Sequence, residues 1–348
     1  MRKYGKMISL FSGKYDGFSK GGETVIEFQN VTKTYRVMKR QAGFGSAVKA
    51  LFSREHETIQ ALCDVSFTVG DGEIVGYIGP NGAGKSTTVK IMCGILTPDS
   101  GRCLVNGRVP WRERTAHTRE IGVVFGQRSQ LWWDVPVIDS FELLRDMYRV
   151  EPARYKRNLD ALAALLGLGE LLKAPARTLS LGQRMRCEIA ASLLHDPKTI
   201  FLDEPTIGLD AASKLEVRRF IREQNRERGT TVVLTTHDMQ DIEALASRVL
   251  LIGKGQLLLD GSLDTLRRRV SGKKKIVVRF GGAAPALCPG LTLTACRAGE
   301  LELSLDPAVL TASDAVAHLA AGAALTDVTV SEITAEEMVA ALYREYRI

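Results

Sequence analysis

No stretch of the 348-residue chain approaches the roughly 18 to 20 uninterrupted apolar residues that a membrane-spanning helix needs. The longest apolar run, residues 161–172 (ALAALLGLGELL), is interrupted by Glu170 and is spaced like an amphipathic helix, so the chain is not expected to cross a membrane. Residues 1–20 begin basic but lack an apolar core and a small-residue cleavage site, which argues against a secretion signal and predicts a cytosolic chain. Paired cysteine motifs are also missing. Cys63, Cys93, Cys103, Cys187, Cys288 and Cys296 are scattered, with no CxxC and no histidine partner nearby, so the expectation is buried, reduced thiols rather than a zinc site or a disulfide framework. There is no internal repeat. What is present, 45% hydrophobic and 25% charged residues, describes a folded protein with enough chain for more than one core, and excludes disorder and fibre.

The charge is unevenly placed. Residues 1–60 hold eleven Lys or Arg against five Asp or Glu, which accounts for six of the seven net positive charges. A basic end on an otherwise near-neutral chain points to an anionic surface, either nucleic acid or the inner face of a membrane.

Beyond a polar, Gly-rich tail (1–22), TVIEFQNVTKTYRV and ALCDVSFTV at 61–69 alternate like strands, separated by a basic stretch at 36–58. Short β-branched strands then alternate with amphipathic helices: EIVGYIG, IGVVFG at 121–126, KTIFLDEP at 198–205, TTVVLTTHD at 230–238 and RVLLIG at 248–253. Near-continuous apolar strands separated by helices imply an α/β fold whose parallel sheet is covered on both faces. Residues 131–186 read as an inserted helical lobe. The core closes near 262, residues 263–275 read as a basic linker, and 276–348 as a small α+β domain of three strands followed by two helices.

The segment GPNGAGKST sits between strand EIVGYI and a helix opening near Ser86, which is the context a phosphate-binding loop requires. Gly79, Asn81, Gly82, Ala83, Gly84, Lys85, Ser86 and Thr87 are therefore expected around a bound phosphate chain. Gly82 and Gly84 let backbone N–H groups face the anion, Lys85 reaches the terminal phosphates and the Ser86 hydroxyl is placed for Mg²⁺. At 199–204, TIFLDE ends a buried strand on two carboxylates. Asp203 is expected near Mg²⁺ and Glu204 beside the attacking water, where hydrolysis needs a base. His237 ends the neighbouring strand on the same edge of the sheet.

Residues 178–210, TLSLGQRMRCEIAASLLHDPKTIFLDEPTIGLD, closely resemble the signature, strand and D-loop block of ATP-binding cassette (ABC) ATPases. With the phosphate loop, Gln127 ending IGVVFG and His237 as a switch histidine, the resemblance covers residues 24 to about 260 in the family's order. It implies a P-loop NTPase, RecA-like core with an antiparallel β subdomain, forming one ATP-hydrolysing unit over 23–262 with ATP and Mg²⁺ as cofactors. Tyr35 would stack on adenine. Gln127 would contact Mg²⁺ and the attacking water. Ser180, Gly182 and Gln183 would bind the γ phosphate of the opposite subunit, and Asp210 would cross the dimer interface. The chain has LSLGQ where the family commonly has LSGGQ, so Leu181 departs from the pattern. One phosphate loop and one signature per chain imply a dimer, homomeric or heteromeric, closed by sandwiched ATP.

FGQRSQLWWD, the basic stretch after Tyr35 and the C-terminal extension further resemble ATP-binding subunits of ABC-2 type exporters of the daunorubicin-resistance and viologen groups. That resemblance implies two separate permease subunits, a position at the cytoplasmic face of the membrane, and efflux of a drug-like or lipophilic compound whose path lies in the permeases. A lipid or polysaccharide exporter, and a non-transport ATPase acting on nucleic acid or ribosomes, are the alternatives; the relatives of the last kind carry paired cassettes, coiled coils or zinc insertions that are not found here, so no nucleic acid is expected. Trp132 and Trp133 are either partner-facing anchors or lobe core, and adjacency favours core. The stretch at 36–58 reads as a solvated hairpin, a nucleic-acid arm, or a segment facing permeases or anionic lipid. The C-terminal domain, free of nucleotide motifs, is expected to stabilise the dimer or regulate it.

Overall fold

The computed structural model describes residues 23–38, 56–126, 128–265, 274–332 and 334–345. Its centre is a six-stranded sheet in the order β5-β6-β7-β3-β8-β9, built from β3 (Ile74–Ile78), β5 (Ile121–Phe125), β6 (Thr199–Asp203), β7 (Thr231–Thr235), β8 (Arg248–Gly253) and β9 (Gln256–Gly261). All neighbours are parallel except β8 and β9. The four strands that carry the motifs, β5, β6, β7 and β3, are neighbours, so their carboxyl ends open onto one edge. Their near-continuous apolar runs are explained by burial on both faces. One face packs on β1 (Thr24–Met38), β2 (His56–Gly70) and β4 (Ser100–Val105), an antiparallel sheet that contributes Ile26, Phe28, Val65 and Val69 to a core shared with Tyr77, Val89 and Phe201. The other face packs on helices and the inserted lobe.

The lobe forms where its sequence signals say it should. Helix α3 (Val137–Tyr148) is followed by α4 (Pro152–Leu166), which starts with Pro at its first turn and has Glu151 accepting from the Ala153 and Arg154 N–H groups at 2.9 and 2.8 Å. Its buried stripe, Tyr155, Asn158, Leu162 and Leu166, has helical spacing. Further helices are α1 (Lys85–Met92), α2 (Arg114–Thr118), α5 (Leu181–Leu193), α6 (Ala211–Arg228) and α7 (Met239–Leu245).

Three expectations need correction. Trp132 and Trp133 are not lobe core: they are 57% and 50% exposed. Their backbone is tied down, Trp132 N–H donating to Ser140 Oγ and Trp133 O accepting from Arg177 N–H, in a non-helical loop that turns both rings outward. Of the thiols, only Cys93, Cys103 and Cys187 are buried, and Cys296 is exposed. The C-terminal sheet has four strands, ordered β11-β12-β10-β13: β10 (Lys274–Gly281), β11 (Leu291–Arg297), β12 (Glu300–Leu305) and the unexpected β13 (Ala324–Glu332). β13 follows α8 (Ala312–Gly322) closely and is an edge strand with mostly exposed side chains, so its apolar alternation is weak.

The final helix, α9 (Ala335–Glu345), does not stay with this sheet alone. Met338, Val339 and Leu342 are buried in the same apolar cluster as Ile242, Leu245 and Leu259 of the central unit. Lys275 ties the helix to the C-terminal sheet, meeting Glu337 at 2.7 Å and Glu302 at 3.2 Å. Leu342→Ala is therefore expected to destabilise the full chain by about 2 to 5 kcal/mol, the usual result of emptying a buried leucine site. Thermal denaturation measures this, and an unshifted transition would mean that α9 is not docked in solution.

Candidate functional site

Gly79–Gly84 connects β3 to α1, whose first turn carries Lys85, Ser86 and Thr87. Gly84 is the helix N-cap with φ of 111°, a left-handed conformation, and a Cβ there would stand 2.6 Å from Ala61 O, so only glycine fits. Lys85 is 7% exposed, and its Nζ donates to Gly79 O at 2.6 Å and Pro80 O at 3.2 Å. Burial lowers the Lys85 pKa, while the nearby Glu204 and Asp203 carboxylates raise it. One ammonium and two carboxylates thus share the loop's electrostatic field. Asn81, Gly82 and Ser86 are exposed at the mouth of the loop, beside half-buried Thr87 and buried Ala83.

Asp203 and Glu204 leave the end of β6. Thr235 Oγ1 donates to Asp203, and Glu204 N–H donates to Thr235 O at 2.9 Å, so β7 holds both residues. Glu204 has φ of +56°, an uncommon conformation for a side-chain-bearing residue and one that concentrates at functional sites. His237 Nδ1 lies 3.4 Å from Glu204 Oε1, with the histidine side chain largely exposed. Gly126, at the end of β5, donates its N–H to Asp203 O at 2.8 Å, and a Cβ there would stand 2.4 Å from Glu204 O. Gln127 itself lies outside the described residues.

A buried carboxylate absent from the sequence expectations organises these loops. Asp241, fully buried on α7, accepts from Thr206 Oγ1 in the loop after Glu204, from Thr236 Oγ1 just before His237 at 3.0 Å, and from Arg218 Nε of α6 at 2.6 Å. Its neighbour Asp238 pairs with Lys214 at 2.6 Å and Arg218 at 3.4 Å. An acidic residue beside Ile242 on a short helix was the available signal; its partners come from two other segments and were not visible.

Ser180 caps α5 through a capping box: Gln183 N–H donates to Ser180 Oγ at 3.2 Å and Ser180 N–H to Gln183 Oε1 at 2.9 Å. Gly182 lies against Ser213, whose N–H and hydroxyl donate to Asp210 at 2.9 and 3.0 Å, so signature and D-loop form one patch. Leu181 leans on Gly208. Among the described residues, no hydrogen bond or ion pair joins Ser180, Gly182 or Gln183 to residues 79–87. Tyr35 is half-buried on β1 opposite Ile59, with Lys33 Nζ 5.9 Å from its ring centroid. The basic stretch is described only at its ends, where Arg36–Met38 pairs with His56–Thr58 in an antiparallel ribbon; residues 39–55 lie outside the described residues.

A family model described as ABC transporter matches residues 62–207, which include the phosphate loop, the signature and both carboxylates. A linearmycin resistance ATP-binding protein of Bacillus subtilis (strain 168) is 31% identical over 246 residues, covering 70% of this chain and 78% of that protein. A daunorubicin resistance ATP-binding protein of Streptomyces coeruleorubidus is 34% identical over 234 residues, covering 66% of this chain and 73% of that protein. This chain belongs to the ATP-binding subunits of ABC transporters. The solved structure of an ATP-binding subunit of an ABC transporter superposes with a TM-score of 0.59 at 25% identity, covering 71% of this chain and 93% of that one. A dimeric ATP-binding cassette in a post-hydrolysis state, bound to ADP and Pi, superposes at 0.56 with 26% identity, covering 68% and 98%. The cassette is an ATPase with a P-loop NTPase core. No helix among its described residues is long and apolar enough to cross a membrane.

Proposed function

We propose that this cassette powers an ABC-2 type exporter, working at the cytoplasmic face of a membrane with two separate permease subunits that expel a drug-like or lipophilic compound. The observation that carries the reading is its likeness to resistance proteins: the relatives named for linearmycin and daunorubicin resistance are 31% and 34% identical. ATP would lie on the phosphate loop with Tyr35 against adenine, and Glu204 would draw the proton from the attacking water while His237 holds its carboxylate in place. Ser180, Gly182, Gln183 and Asp210 would close the site of a second cassette. Support for that dimer comes from the dimeric cassettes whose fold this chain shares.

Mg²⁺ fits the residues. Asp203 at the end of β6 and the Ser86 hydroxyl in the first turn of α1 are oxygen donors, both beside Lys85, with Gln127 as a third by resemblance. No group of three or more His, Cys, Asp or Glu side chains forms a metal cage among the described residues. That is the donor set of an ion held by one or two protein groups together with phosphate oxygens and water. When bound, Mg²⁺ neutralises charge on the phosphates.

Inverted membrane vesicles containing the cassette together with ABC-2 type permease subunits co-expressed with it test the reading. ATP-dependent uptake of a lipophilic cation, lost with Glu204→Gln, is the expected result. ATPase activity stimulated by nucleic acid, and not by these membrane proteins, would overturn it. The exposed Trp132 and Trp133, with Arg184 stacked 5.4 Å from the Trp133 ring centroid, have the chemistry of partner anchors. Replacing both by Ser is expected to leave ATP affinity within about twofold and to cut permease-stimulated hydrolysis about tenfold or more, since a buried aromatic anchor contributes roughly 2 kcal/mol or more to an interface. The comparison to make is ATP turnover with and without the permeases.

A further inference from the structure

Glu188 is only 4% exposed, and no Lys or Arg forms an ion pair with it among the described residues. A buried carboxylate is costly unless its oxygens are satisfied, and these are. One oxygen accepts from Ser129 Oγ and the other from Gln130 N–H at 3.1 Å, while the backbone carbonyl of Glu188 accepts from Gln130 Nε2 at 3.1 Å. Ser129 Oγ in turn accepts from Leu131 N–H at 3.1 Å, and Leu131 is buried in the apolar cluster that holds Met185 and Ile189 of the same helix. One side chain of α5 thus gathers a whole turn of the segment that follows β5.

Both ends of this contact lead to chemistry. On one side, Arg128 N–H donates to Phe125 O at 3.0 Å, so the segment departs from β5 in a tight turn beside Gly126, whose backbone touches Asp203 and Glu204. On the other, α5 is a rigid rod, and Glu188 lies two turns, about 12 Å along its axis, from the signature at Ser180. We propose that Glu188 is a positioning residue: its carboxylate fastens the Ser129–Leu131 segment to the signature helix, so that the loop beside the catalytic carboxylates and the signature offered to the second cassette move as one piece. The proposal rests on the ATPase roles of Glu204 and the signature set out above. It assigns Glu188 no contact with nucleotide. Its effect falls on turnover in the closed dimer and not on nucleotide capture, because among the described residues no hydrogen bond joins residues 79–87 to the Ser129–Leu131 segment.

The test uses the full chain and ATP. Glu188→Met keeps the side-chain length and removes both acceptor oxygens; it is expected to lower kcat at saturating ATP about tenfold, with the Kd for ATP within about twofold. Glu188→Gln keeps one acceptor oxygen and should recover most of the rate. Ser129→Ala, at an exposed position, should lower kcat about threefold in the wild-type background and not further in Glu188→Met, as partners in one contact behave. Wild-type kcat in folded Glu188→Met, or a loss of ATP affinity equal to the loss of kcat, overturns the proposal. Should Glu188→Met fail to fold, unchanged kcat in Ser129→Ala overturns it instead. Glu204→Gln assayed beside them separates the two levels: if it stays active, the ATPase roles fail, whereas an inactive Glu204→Gln beside a fully active Glu188→Met defeats this inference alone.

Discussion

Glu204→Gln is expected to slow ATP hydrolysis by roughly 10² to 10⁴ while leaving ATP affinity within about twofold. Gln has the shape of Glu and retains the backbone bond to Thr235 O, so the unusual φ of +56° has no new reason to relax. What disappears is the ability to accept a proton from water, and with it the negative charge facing His237 at 3.4 Å. The Lys85 and Gly79–Thr87 contacts are untouched, so ATP should still bind. With binding intact and release blocked, ATP should hold two cassettes together, visible as a dimer in sedimentation with ATP and Mg²⁺. Phosphate release measured under saturating ATP decides the matter, and a rate near wild type would remove Glu204 from the role of base.

Lys85→Ala is expected to weaken ATP binding by roughly a hundredfold or more, because charge-assisted hydrogen bonds to a phosphate contribute about 1.5 to 3 kcal/mol each. The ammonium is buried at 7% exposure and faces the Asp203 and Glu204 carboxylates. Removing it leaves those two negative charges uncompensated at the place where a polyanion must enter, so repulsion adds to the lost bonds. Its bonds to Gly79 O and Pro80 O also brace the loop, and thermal denaturation of the variant checks that the loop's loosening has not unfolded the core. Titration with ATP is the measurement, and retained affinity would refute the role of Lys85.

The parts of this site that could be read from sequence are those where short-range backbone geometry and chemistry coincide. GPNGAGKST specifies a turn, a row of N–H groups and a helix start within nine residues, and TIFLDE places two carboxylates on a strand end whose neighbours must be apolar. Ser180 and Gln183 likewise form their capping box within a single turn. The alternation of β-branched strands with helices was enough to establish the α/β class and the common edge on which these motifs lie.

Contacts between distant segments had no such signature. Asp241 looks like an ordinary acidic helix residue until Thr206, Thr236 and Arg218 arrive from other elements, and Glu188 until Ser129 and Gln130 do. Adjacent tryptophans suggest core because neighbours on a chain rarely face the same way, and only the tethering of their backbone to Ser140 and Arg177 decides that both rings are exposed. The last helix carries an apolar stripe that any partner could bury; the fold seats Met338, Val339 and Leu342 on α7, just beyond His237. Sequence by itself determined the reaction this chain performs and the residues expected around the nucleotide, because those depend on groups a few bonds apart. Tertiary structure alone decided how these groups are held to one another and which apolar surfaces stay open, because desolvation and hydrogen-bond satisfaction depend on neighbours that the chain brings together only when it folds.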